Sequence, residues 1–133
     1  MTHEAQDSRS TFSKSERLSS KRKIAQLFEN GATLRIKPFT VRYLVTEHSS
    51  HQVLIAVPKK FHKKAVNRNL IKRRVREAYR LHKGILGTDA DQGFLIAFIY
   101  LSHNILDFRQ IEDKLIVALQ RLSKDGKGLA KAR

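Results

Sequence analysis

The chain predicts an α+β fold, a two-layer α/β sandwich with elements in the order αβββαβα, and three observations carry that prediction. FLIAFIYL at 94–101 is an apolar run of strand length; Phe39, Val41, Tyr43 and Val45 alternate with Thr40, Arg42, Leu44 and Thr46; and three other segments carry apolar side chains at helical spacing. Helices separated by sheet segments in this order call for helices layered on a four-stranded sheet, with the second helix crossing between two strands.

Ser20 is placed to cap a first helix, KRKIAQLFEN, whose Ile24, Leu27 and Phe28 share one face and which stops at Gly31, a suitable residue just past a helix end. Residues 32–36 read as a brief strand before Pro38, and residues 39–46 as a half-buried one. The polar stretch 48–52 predicts a turn leading into VLIAV at 53–57, a strand buried on both faces, ended by Pro58 and expected to pair with its predecessor as a hairpin. A basic helix follows, then the glycine-rich loop KGILGTDADQG, then the apolar strand. Last comes a helix with Asp107 as its cap and Phe108, Ile111, Leu115, Ala118, Leu119 and Leu122 as its stripe. Residues 1–15 and 123–133 are polar and are expected as flexible tails on a single domain spanning 16–122.

Hydrophobic residues make up 41% of the 133, enough for one small core. The chain has no cysteine, which excludes a disulfide scaffold or a thiolate zinc site, and its N-terminal residues have no apolar signal segment. A cytoplasmic location is expected. The net charge of +15 is concentrated: residues 59–83 hold eleven Lys and Arg against one acid, Glu77, so +10 of the charge sits in 25 residues. Such a density points to a phosphate-rich partner, because each cation placed on a phosphate releases condensed counterions. A membrane-surface helix would carry a broad Leu, Phe and Trp face, which this segment does not have.

Advancing about 100° per residue from Arg68 gathers Asn69, Lys72, Arg73, Arg76 and Arg80 within roughly 40° to 140°, while Ile71, Val75, Ala78 and Tyr79 form an adjoining apolar stripe. The helix can therefore dock and bind at the same time. Arg guanidinium groups grip phosphate oxygens in pairs, and Asn69 can donate to phosphate or read a 2′-hydroxyl or base edge. A merely solvated face would leave these cations repelling one another.

AVNRNLIKRRVREAYR, at 65–80, resembles the signature helix of the bacterial ribonuclease P protein subunit, where Ala-Val-x-Arg-Asn-Arg-x-Lys-Arg is followed by Arg-Glu-Ala-Phe or a close variant. The context is similar too: AVPKK at 56–60 ends a strand, and Arg17 and Leu18 precede a short helix ending in Phe28 and Gly31, so the resemblance covers residues 12–122. Leu70 stands where the family has the second Arg of its triplet, leaving one family contact missing or replaced. Ile24 stands where many relatives have a Phe, and Pro58 where Ser is frequent.

The resemblance implies a four-stranded sheet with a left-handed βαβ crossover through the basic helix, against the usual hand of such connections. It implies an accessory subunit of an endoribonuclease whose catalytic RNA removes the 5′ leader of precursor tRNA by divalent-metal-dependent hydrolysis. Mg2+ belongs to the RNA site, and the protein alone is expected to bind no cofactor, to need no protein partner and to cleave nothing. Arg68, Asn69, Lys72, Arg73, Arg76 and Arg80 would contact the catalytic RNA, with His62 joining the phosphate contacts. Phe28, Phe39, Tyr43, Lys59 and Lys60 would hold the leader, since single-stranded RNA favours stacking rings beside a cationic track.

A protein nuclease would need converging carboxylates. The close acidic pairs are Asp89 with Asp91, which read as turn residues, and Glu112 with Asp113, which read as the exposed side of the last helix. The histidines form no helical ligand pair, and His48 and His51 read as loop surface. The competing function is a non-enzymatic ribosomal or RNA-chaperone binding module on the same scaffold.

Overall fold

The structure, a computed structural model, describes residues 12–46, 50–87 and 93–132. After a 3-10 turn at Lys14–Glu16 come α1 (Lys21–Asn30), β1 (Ala32–Ile36), β2 (Phe39–Thr46), β3 (Gln52–Ala56), α2 (Ala65–His82), a 3-10 turn at Lys83–Leu86, β4 (Gly93–Tyr100) and α3 (Phe108–Ala132). Three helices and four strands thus follow in the expected order.

The strands lie side by side as β1-β2-β4-β3, antiparallel except for the parallel β3/β4 pair that α2 connects. β2 and β3 therefore do not form the expected hairpin, because β4 lies between them. The reason is burial: seven of the eight β4 residues are buried, which only a central strand provides, whereas β3 buries only Val53. As an edge strand, β3 is covered at its start by the chain before α1, where the Leu18 N–H donates to the Val53 carbonyl at 2.9 Å. The hairpin instead joins β1 to β2 through a cis Lys37–Pro38 bond.

Successive strand residues point to opposite faces. Phe39, Val41, Tyr43 and Val45 of β2, with Ile96, Phe98 and Tyr100 of β4, meet Ile71, Val75, Ala78 and Tyr79 of α2 and Ile111, Leu115, Ala118, Leu119 and Leu122 of α3 in the main core. The stripes read on α2 and α3 are buried apart from Phe108, which is half-buried, whereas of the α1 stripe only Leu27 is buried, with Ile24 half-buried and Phe28 exposed. The other face carries a small second core, in which Leu27 of α1 and Leu18 pack on Leu95 and Ala97.

The caps form as the sequence suggests. Ser20 accepts from the Lys23 N–H at 3.3 Å, while Asp107 Oδ1 accepts from the Gln110 N–H at 2.9 Å and the Gln110 side chain accepts from the Asp107 N–H at 3.1 Å. Gly31 ends α1 as expected, with an ordinary φ of −76°. It is needed for space, because a Cβ there would fall on the Leu27 carbonyl oxygen and 2.9 Å from the Tyr43 carbonyl oxygen.

Two boundaries shift from those expected. α3 does not stop at Leu122 but continues through residues 123–132, and Asp125 on that extension accepts from the Tyr43 hydroxyl at 3.1 Å. At the other end, residues 12–15 are docked rather than free. The Phe12 ring meets Tyr79 edge-on at 5.7 Å, and the Gln52 side chain donates to the Ser15 carbonyl at 3.1 Å.

Candidate nucleic-acid interface

Two cationic surfaces are built on this frame. The first is the outer side of α2, an 18-residue helix whose buried stripe fixes its rotation and so fixes which side chains face solvent. Asn69 and Arg73 are exposed on it, and Lys72 and Arg76 are half-buried. Arg68 turns back over the helix start and donates to the His62 and Lys63 carbonyls at 3.0 and 2.8 Å, closing the loop that leads into α2. Arg80 is held by Glu77 in a two-pronged pair at 2.9 and 2.7 Å, which keeps the Glu77 carboxyl below its ordinary range. The Nε of Arg76 is buried and has no hydrogen-bond partner among the described residues. Leu70 is half-buried beside this face and adds no charge to it.

His62 does not join the cationic surface. It is 5% exposed, and its Nε2 lies 2.6 Å from the Ser102 carbonyl, so it ties the α2 approach to the end of β4. His51 likewise is more than loop surface. The Phe94 N–H donates to its Nδ1 at 3.0 Å, which leaves Nε2 as the donor to the Gly87 carbonyl at 2.9 Å.

The second surface is the sheet face that α1 only partly covers. Register places Arg35, Thr40, Ile99 and Ala56 in one row across it, and Thr33, Arg42, Ala97 and Leu54 in the next. Arg42 donates to Thr33 Oγ1 at 2.8 Å and to the Leu27 carbonyl at 3.3 Å, and also to the Phe28 carbonyl. Phe28, 43% exposed, stands at this edge with the Arg42 guanidinium 5.7 Å from its ring centroid. Lys59 and Lys60 are exposed just beyond β3, with Lys60 Nζ 5.2 Å from the Phe61 ring centroid and that ring against His103 at 4.8 Å.

Phe39 and Tyr43, expected to hold the leader, do not lie on this surface. They are 2% and 5% exposed and face α2 and α3, because odd-numbered β2 residues all point into the main core. Phe39 packs edge-on against Phe98 and Tyr100 at 6.2 and 5.6 Å. Arg42, which the sequence reading missed, stands on this surface beside Phe28. The same alternation could have found it, since a cation on the even, non-core face of a central strand must look outward.

Asp89, Asp91 and His48 lie outside the described residues. Glu112 accepts from His82 at 2.8 Å, and Asp113 is exposed. Among the described residues no three His, Asp or Glu side chains are grouped to hold a metal, and no helix is long and apolar enough to cross a membrane.

Residues 12–123 match the family model described as Ribonuclease P. The ribonuclease P protein component of Porphyromonas gingivalis is 38% identical over 118 residues, covering 84% of this chain and 86% of that protein. That of Petrotoga mobilis is 35% identical over 117 residues, covering 84% and 95%. Among solved structures, the RNase P protein of Thermotoga maritima superposes with a TM-score of 0.69 at 32% identity, covering 80% of this chain and 96% of that one. The Staphylococcus aureus protein, at 22% identity and a TM-score of 0.64 over 82% and 95% of the two chains, shares the fold.

Proposed function

The chain belongs to the bacterial ribonuclease P protein family, and from that premise we propose that its two cationic surfaces divide the work, α2 holding the catalytic RNA and the α1/sheet cleft holding the 5′ leader of precursor tRNA. As a ribonuclease P protein component it is the accessory, RNA-binding subunit in tRNA 5′ processing, and catalysis belongs to the RNA. One observation carries the assignment of α2. A helix locked by four buried residues presents Arg68, Asn69, Lys72, Arg73, Arg76 and Arg80 with a single acid among them, a rigid array suited to phosphates at fixed spacing.

For the leader, the cleft offers Phe28 as a ring on which a base can stack, Arg42 beneath it, and Lys59 and Lys60 where the open face ends. These cations screen the repulsion between leader and catalytic-RNA phosphates, which strengthens substrate binding most at low salt. The acids described here do not converge, so the residues present do not fit a protein-held Mg2+, and the metal is assigned to the RNA. The holoenzyme is assigned to the cytoplasm.

Reconstitution tests this reading. Protein added to a bacterial ribonuclease P RNA at low magnesium should stimulate removal of the leader, while protein alone leaves precursor tRNA intact. Cleavage by RNA-free protein, abolished by Asp89→Asn, would overturn the division of labour.

A further inference from the structure

Beside the α2 cations lies a pocket of about 560 Å³ lined by Phe12, Arg73, Arg74, Arg76, Glu77, Arg80 and Phe108. Its size suits a small planar ligand. Its two rings arrive from distant parts of the chain. Phe12 precedes the first turn and is steadied by Tyr79, and Phe108 is the first residue of α3. Both rings are half-buried against the core and half open. Two of the arginines are engaged by the protein, Arg74 on the Leu106 carbonyl at 2.6 Å and Arg80 on Glu77. Arg76 lines the pocket half-buried, with its Nε–H shut away from solvent, and Arg73 is exposed beside it.

We propose that this pocket receives one unstacked nucleobase of the catalytic RNA, gripped between Phe12 and Phe108 while Arg76 and Arg73 donate to its acceptor edge and adjoining phosphate. The proposal rests on the assignment of α2 to the RNA and adds to it a contact of a different physical kind. Phosphate pairing needs only cations, and two rings beside guanidinium groups that line the same pocket are what a flat base with edge acceptors requires. A phosphate alone would make no use of the open side of either ring. An RNA helix lying on α2 would leave the pocket empty, so the base must come from an unpaired position.

Two measurements test this. In the first, binding of the protein to ribonuclease P RNA is followed across a salt series for Phe12→Leu and Phe108→Leu, which keep apolar packing but remove the ring. Affinity should fall about tenfold for each, with the salt slope unchanged, because stacking releases no counterions, and Phe12→Tyr should retain most of it. Wild-type affinity in both Leu variants, with Lys72→Ala still lowering the slope, sinks the pocket and leaves the α2 assignment standing. If Lys72→Ala also has no effect, the α2 assignment fails with it. In the second, NMR of the Phe12 and Phe108 ring protons is compared between adenosine monophosphate and ribose 5-phosphate. Shifts that require the base are expected, and equal shifts from the two would reduce the pocket to a phosphate site.

Discussion

Arg42 closes the C-terminal end of α1 and supports Phe28. Its guanidinium donates to the Phe28 carbonyl and lies 5.7 Å from the centroid of the same residue's ring. One cation thereby satisfies carbonyls at a helix end, where a positive charge is favoured, and holds an exposed ring at the mouth of the cleft. Arg42→Ala should cost about 1–2 kcal/mol of stability from the lost charge-assisted hydrogen bonds. It should also weaken binding of precursor tRNA with a long leader roughly tenfold, with little effect on a single-nucleotide leader. Denaturant midpoints and binding to the two substrates check this, and equal losses on both would remove Arg42 from the leader site.

Lys72 and Arg68 should separate in their effects, although both were read from the sequence as phosphate contacts. Lys72→Ala is expected to lower the logarithmic salt slope of RNA binding by about 0.7 to 0.9 with no change in stability. Arg68→Ala should lower the slope similarly and also loosen the 62–64 loop, because its guanidinium closes that loop through two carbonyls. Salt-dependent binding together with amide exchange at residues 62–64 tests the pair. An unchanged slope would take either side chain off the interface.

What the sequence made legible follows from periodicity. The stripe Ile71, Val75, Ala78 and Tyr79 is buried as a unit, and the rotation it imposes on α2 sets the cationic face. Period-2 alternation in β2 is equally readable and assigns Phe39 and Tyr43 to the core face, whereas residue type alone points to them as rings for RNA. Strand order was out of reach because alternation reports which face a residue takes and says nothing of which strand lies beside it. The pocket at Phe12 was hidden for another reason: a lone aromatic in a polar stretch has no period, and its partner Phe108 lies 96 positions away.

Gly31→Ala should destabilise the fold although the residue's φ is ordinary. The added methyl would meet two backbone oxygens, from Leu27 and Tyr43, which cannot swing aside as a side-chain tip can. Displacing α1 from β2 to make room should cost about 1–3 kcal/mol. Gly84→Ala is the control, since nothing lies within 4 Å of its position, and loss of glycine freedom in the unfolded chain should leave it neutral or stabilised by about 0.4–1 kcal/mol. Urea unfolding of the two variants decides the matter; equal midpoints would mean that the α1–β2 approach is looser than the structure shows.

Alkaline pH should unfold the protein through its tyrosines. Tyr43, Tyr79 and Tyr100 are all held above the ordinary phenol value, each mainly by burial, with a hydrogen bond to Asp125 adding to the effect at Tyr43. A raised folded-state value means that the unfolded chain loses the phenolic protons first. The stabilisation is therefore complete below about pH 10 and is lost as pH rises beyond it. Tyr79 has the largest shift, so above that pH it alone should remove about 1.4 kcal/mol per pH unit. Tyr79→Phe keeps the ring beside Phe12 and Phe98 while deleting the titrating group. That variant should show a shallower fall of stability with alkaline pH, and phenolate absorbance in the wild type should rise together with unfolding rather than before it. A phenolate signal from all three tyrosines in the still-folded protein would show that these hydroxyls reach solvent.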